Sequence, residues 1–244
     1  GYSVSGKLID VSEYGVPQKR KRYIIIGMLE GSPETFFETL STGRSKFYAD
    51  NKLTSSVNMK QAIGDLCKSN GTIPCPDSKS FNSGVYGKAS SRYQRFVRLG
   101  ISNNAVPDSH RFAKQRPETI LLLTKLMKVH KKAKKITPTQ NLVVGLKKRS
   151  VMPLKATSIC STVTSIPDDF IHYSEPRIMT VREMARIQSF PDCFQFKGKY
   201  TTGGELRKVE VPRYTQVANA VPPLFAEQVG LALISVLQKQ STKN

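Results

Sequence analysis

Apolar positions along the chain fall into short clusters, separated by polar stretches rich in glycine and proline. Residues 2–9 predict a short strand, and Tyr14-Gly15-Val16-Pro17 a bend. The run Tyr23-Ile24-Ile25-Ile26-Gly27 is β-branched, apolar and short. Such a run predicts a strand buried on both faces, with helices above and below it. Too few strands lie nearby to build that sheet from this chain by itself. Residues 32–58 are mixed and carry no clear periodicity. Met59, Ala62, Ile63 and Leu66 fall on one side of a short helix over 58–66, and residues 67–76 read as loop.

Further along, Tyr86, Tyr93 and Phe96 are interleaved with Lys88, Arg92, Arg95 and Arg98. This mixture suits either a phosphate-contacting surface or a solvated face with aromatic anchors. Pro117 predicts a helix start, since its missing N–H costs nothing at the first position. Apolar residues then run from Ile120 to Met127, and Lys128, Lys131, Lys132, Lys134 and Lys135 follow. Thr180 and Glu183 have the spacing of a capping box. Met184, Ala185 and Ile187 give that helix its apolar side, and Pro191 ends it. The stretch 197–204 reads as flexible and basic. Pro222 and Pro223 introduce a final helix through Leu237, the clearest in the chain.

Charge narrows the partner. The 244 residues carry 38 Lys and Arg against 18 Asp and Glu, a net charge of +20. That excess attracts a polyanion, and DNA or RNA is the simplest one. Helix capping accounts for some of the lysines after Met127. It does not account for eleven Lys or Arg against the single acid Glu118 over residues 114–149. A phosphate-facing surface does. No apolar run approaches the roughly 20 residues needed to cross a bilayer, and the N-terminus has no secretory pattern. A cytoplasmic protein without membrane attachment is expected. Cys67, Cys75, Cys160 and Cys193 form no CxxC pair, and the histidines are scattered. Neither a metal site nor a disulfide framework is expected. The hydrophobic content of 39% permits a modest core. The opening at Gly1, close to a strand, suggests a piece of a longer product.

Three segments are more specific. Residues 14–22, Tyr-Gly-Val-Pro-Gln-Lys-Arg-Lys-Arg, resemble the QxRxR motif of DNA (cytosine-5)-methyltransferases. Residues 177–192 are similar to the segment following the target recognition domain of that family. Residues 214–223, Tyr-Thr-Gln-Val-Ala-Asn-Ala-Val-Pro-Pro, resemble its last motif, with Ala218 where glycine is usual. The resemblance covers about 40 residues at the start and 70 at the end, with a weakly matching middle.

The resemblance implies an α/β fold: part of a doubly wound sheet domain that uses S-adenosylmethionine, plus a small target recognition domain. It divides the chain into 1–57, catalytic-domain strands; 58–174, recognition region; and 175–244, a return segment packing on the catalytic domain. It implies methyl transfer to C5 of a cytosine flipped out of double-stranded DNA at a specific sequence, as in restriction-modification. Arg22 is then expected to hold the O2 side of the flipped base, a task for which a fixed, charged fork of donors is suited. Arg20 would organise the pocket or a phosphate, and Gln18 would steady the loop. Asn219, Ala220 and Val221 would lie near the methyl donor, although Asn219 also reads as a helix cap. Lys197, Lys199, Arg92 and Arg95 are candidate DNA contacts. Thr180 reads as a cap, and no role is assigned to Arg182.

The family's glycine-rich cofactor loop, its Pro-Cys-Gln nucleophile loop and its Glu-Asn-Val segment are absent from these residues. Pro74-Cys75-Pro76 has the wrong third residue and lies downstream of the arginine motif, so Cys75 is not expected to be the nucleophile. The expected partner is therefore an N-terminal methyltransferase fragment or subunit carrying those motifs, with this chain inactive by itself. A noncatalytic DNA-binding remnant or regulatory subunit is the alternative, and RNA methylation a third.

Overall fold

The computed structural model describes residues 1–102, 104–129, 134–136, 151–202, 206 and 209–241. Strand β1 (Ser3–Asp10) pairs antiparallel with β2 (Lys21–Met28), Ser3 opposite Met28 and Asp10 opposite Lys21. Between them Asp10 caps a 3-10 turn, and Gly15 adopts φ 79° to reverse the chain. A left-handed residue there favours glycine. Alternation sends Ile24, Ile26 and Met28 toward the main core, while Val4, Leu8, Tyr23 and Ile25 stay exposed on the other face. The described residues cover only one side of this hairpin. Tyr23 lies across Gly6, where an added Cβ would meet the ring at 2.7 Å.

The mixed stretch 32–58 holds an 18-residue helix, α1 (Pro33–Asp50). Thr39, Ser41, Thr42 and Gly43 dilute its pattern, since these are weak helix formers. Ser32 caps it and Pro33 occupies its first turn, which was the legible signal. Phe36, Phe37 and Leu40 are buried. Short α2 (Met59–Ile63) begins at an Asn58–Gln61 capping box and continues as a 3-10 turn to Leu66. Then follow β3 (Thr72–Pro74), β4 (Asn82–Gly84), α3 (Arg92–Val97) and α4 (Pro117–Val129). Strand β5 (Met152–Pro153) pairs parallel with β6 (Phe170–Ile171). The chain ends in α5 (Val181–Ile187), α6 (Arg213–Asn219) and α7 (Pro223–Ser241).

The described strands form three separate two-stranded sheets. The doubly wound sheet of the expectation is not present among the described residues. Parallel strands need long crossovers, whereas β1 and β2 are joined by a short antiparallel connection. One main core joins the first segment, α2, α3 and the final helices: Ile9, Phe36, Ile63, Tyr93, Met184, Val217 and Phe225 all belong to it. Leu123, Leu126, Ile136, Val151 and Ile171 form a second, smaller cluster under α4. Helix α7 packs on α1 and buries Leu224, Phe225, Ala232 and Val236. By length and composition alone, the helical stretch Arg213–Ser241 is apolar enough to cross a membrane. His130, Lys131 and Lys132 lie outside the described residues, as do the whole basic stretch 137–150 and Gly203 and Gly204.

Candidate functional site

The three motif segments, far apart in sequence, meet at Gln18. Its side chain is fully buried. Its Oε1 accepts from the Val163 N–H at 3.0 Å, and its Nε2 donates to the Ile187 carbonyl and to Gln188 Oε1. Gln188 in turn donates from Nε2 to the carbonyls of Val217 (2.8 Å) and Ala218 (3.3 Å). Arg20 Nη2 donates to the same Ala218 carbonyl at 2.9 Å. Backbone bonds pin the loop from its other side: Cys160 N to the Pro17 carbonyl (3.0 Å) and Lys19 N to the Cys160 carbonyl (2.8 Å). Thr162 Oγ1 adds a bond to the Lys19 carbonyl. Two primary amides, each able to donate and accept, thus tie the arginine motif to both later motifs. Gln188 stood in a recognised segment, but nothing in its local sequence marked it as this link.

The two arginines differ. Arg20 is buried, its Nε has no hydrogen-bond partner, and none of its described bonds goes to a carboxylate. Burial, then the nearby Arg22 charge, pushes its pKa down. Arg22 is exposed at the start of β2, and among the described residues its side chain reaches only the Lys21 carbonyl. A buried cation with a spare donor beside an exposed guanidinium can hold an electronegative group.

At the last motif, Asn219 is the final residue of α6 rather than a cap for α7. Asn219 and Val221 are exposed beside the Ala218 carbonyl that holds Arg20, and Ala220 is half-buried. A free amide next to an exposed aliphatic side chain fits a ligand that is polar at one end and apolar at the other. Lys199 is ion-paired with Glu210 at 2.8 Å, whereas Lys197 donates to Gln195 and has no carboxylate partner among the described residues. Arg92 and Arg95 are exposed on α3, while neighbouring Tyr93 is buried and donates to the Arg186 carbonyl. Tyr86 donates to Asp192, and Arg98 is paired with Asp65. That part of the aromatic and basic stretch is structural.

Helix α5 is an anchor. Thr180 and Glu183 form the capping box. Burial works against ionisation of Glu183, yet Arg177 outweighs it and holds the carboxyl down to about 2. Arg186 is fully buried and forks to Asp65 (2.6 and 3.1 Å) and Asp192 (2.8 and 2.6 Å). Arg182 donates to Asp108 and to the carbonyls of Pro191 and Phe194. The sequence assigned no role to Arg182 and singled out nothing at Arg186, and neither faces solvent. The four cysteines are free. Burial pushes the Cys75 thiol up, and it donates to Asp77. Among the described residues no cluster fit to hold a metal is present.

The C-5 cytosine-specific DNA methylase family matches residues 1–235. Type II methyltransferase M1.HphI of Haemophilus parahaemolyticus is 28% identical over 238 residues, covering 97% of this chain and 49% of that protein. Type II methyltransferase M.DdeI of Desulfomicrobium norvegicum is 30% identical over 249 residues, 93% of this chain and 53% of the relative. A solved E. coli prophage protein assigned as a DNA modification methyltransferase superposes with a TM-score of 0.59 at 20% identity. It covers 97% of this chain and 61% of its own, and this likeness shows an α/β methyltransferase-like fold. The chain spans about half the length of the curated relatives it matches. From residue 1 to residue 235, through all three motif segments that converge on Gln18, the chain belongs to the C-5 cytosine-specific DNA methylase family.

Proposed function

We propose that this chain works in an S-adenosylmethionine-dependent DNA cytosine C5-methyltransferase of restriction-modification type, cytoplasmic and acting on double-stranded DNA at a specific sequence. S-adenosylmethionine supplies the methyl group. The attacking thiol, the glycine-rich loop and the acid for cytosine N3 come from polypeptide bearing the motifs these residues lack. The observation that carries the reading is the pair of arginines without carboxylate partners, Arg20 buried and Arg22 exposed, held by Gln18 and Gln188 against the last motif. In it, Arg22 holds O2 of the flipped cytosine and stays charged as negative charge builds on the ring. Arg20 is a positioning residue that keeps the loop on Ala218. Asn219, Ala220 and Val221 line the end of the cofactor site. Residues 58–174 serve as the recognition region, and 1–57 with 175–244 as the catalytic-domain portion.

The bare face of the hairpin supports a partner segment. Val4, Leu8, Tyr23 and Ile25 are exposed together on adjoining strands. A contiguous apolar surface of that kind marks an interface. The rest of the sheet domain is the occupant this reading requires.

The test is transfer of labelled methyl groups to cytosine in duplex DNA, with this chain alone and with the polypeptide carrying the Pro-Cys-Gln loop. Activity is expected only in the completed assembly. Arg22→Ala should then lower kcat by about 100-fold or more, the scale of one lost charge-stabilising donor, while duplex binding persists. Robust transfer by these residues alone, or full activity of Arg22→Ala, refutes the proposal. DNA binding without transfer in the completed assembly would favour a noncatalytic role.

A further inference from the structure

Three clefts adjoin one another on the side of the molecule that begins at the arginine motif. The first, about 700 Å³, is lined by Lys19 and Lys155 together with the segment 157–162 that straps the arginine loop. It shares Gln61 with a second cleft of about 340 Å³, which adds Lys60, Arg92 and Arg95. The second shares Arg92 and Arg95 with a third, of about 530 Å³, which adds Lys52. No acidic residue lines any of the three. Among the described residues, none of these six cations has a carboxylate partner, and Arg95 reaches only the Ala89 carbonyl. Elsewhere the described cations are often paired: Lys7 with Glu34, Lys46 with Asp50, Lys199 with Glu210.

We propose that these clefts form one continuous track for the sugar-phosphate backbone of duplex DNA, running from Lys19 to Lys52. The inference rests on the function proposed above and goes beyond it by assigning the backbone path. Six like charges held close together without acids repel one another, and a polyanion relieves that repulsion. A row of open, hydroxyl-bearing clefts suits successive phosphates better than a single small anion. The lining of the first cleft is bonded to the arginine loop through Cys160 and Thr162. Phosphates seated there would set the strand's position relative to Arg22. Such contacts position the duplex and carry no sequence information.

The experiment measures duplex affinity of the completed assembly across a salt series. Lys60→Ala/Lys155→Ala removes two charges from exposed positions. The slope of log K against log salt should fall by about 2, since each neutralised phosphate contributes about 0.9. The loss should be equal for cognate and unrelated duplexes. Lys60→Arg/Lys155→Arg should keep the original slope. Lys79→Ala/Lys125→Ala, at exposed lysines lining none of the three clefts, should leave it unchanged. An unaltered slope in the first double variant, with steep salt dependence and methyl transfer in the unmodified protein, overturns the track alone. An equal fall in the control pair overturns it too. A flat salt response of the unmodified protein overturns both the track and the DNA reading.

Discussion

Replacing Arg186 with methionine should cost the chain about 3 to 5 kcal/mol, the scale for breaking a buried ion pair by removing one partner. The side chain is fully buried and spends all three guanidinium nitrogens: four bonds of 2.6–3.1 Å to Asp65 and Asp192, and one of 3.1 Å to the Ala62 carbonyl. Burial opposes the charge, but Asp192 and then Asp65 outweigh it and raise the arginine's pKa. Methionine preserves volume and leaves two carboxylates in the core. Their remaining partners are weaker: Arg98 at 3.3 Å from Asp65, and, at Asp192, the Tyr86 hydroxyl at 2.8 Å and the Arg182 guanidinium at 3.8 Å. Arg186→Lys keeps the charge without the fork and reaches fewer oxygens. It should fall between the methionine variant and wild type, at about 2 kcal/mol. Because domains are stable by only about 5–15 kcal/mol, both changes are measurable. Urea unfolding at pH 7 supplies the assay, with unchanged m-values as the check that the same transition is followed. A methionine variant within about 1 kcal/mol of wild type, or a lysine variant as stable as wild type, would refute the argument from fork geometry.

Acidification should destabilise the fold in a definite window. Burial pushes His110 and His172 down to about 4, against the pull of Glu183. His172 Nδ1 accepts from the N–H groups of Ser174 and Glu175, and His110 is bonded between Thr180 and the Leu66 carbonyl, which suits neutral rings. The unfolded chain, titrating near 6.5, binds more protons between pH 6.5 and 4, so stability falls as pH drops through that range. From pH 7 to 5.5 the two histidines together should cost about 2.5 kcal/mol, and equal denaturant midpoints at both values would contradict this. Gln188→Ala should lose about 1–3 kcal/mol by stranding buried carbonyls; methyl transfer should fall while cognate affinity is retained, and wild-type kinetics would argue against the amide relay. Ile25→Lys should change the chain's own stability by no more than about 0.5 kcal/mol, because the site is exposed. It should block assembly with the partner polypeptide, read by size-exclusion chromatography, and undiminished assembly would remove the hairpin face from the interface.

The sequence by itself determined the features whose physics is local. Pro117, the Thr180–Glu183 capping box and Pro223 mark helix starts within a turn of where they occur. The arginine motif and the last motif were legible as strings because their residues are contiguous. Helix α1 was lost between its ends, since serines, threonines and a glycine blur an amphipathic pattern that packing against α7 enforces. Only the tertiary structure decided which charges are buried. Arg92 and Arg186 carry the same charge on short helices, yet one is exposed and the other is enclosed by Asp192 just beyond its helix and by Asp65, 121 residues away. The meeting of Gln18, Gln188 and Ala218 likewise depends on contacts across about 170 and 30 residues. Long-range pairings are set by how the whole chain closes and leave no periodic trace in the segments they join. The exposed strand face is the converse case. Its Ile25 reads as buried because hydrophobicity records what a surface requires, and only the structure shows that these residues leave that face open.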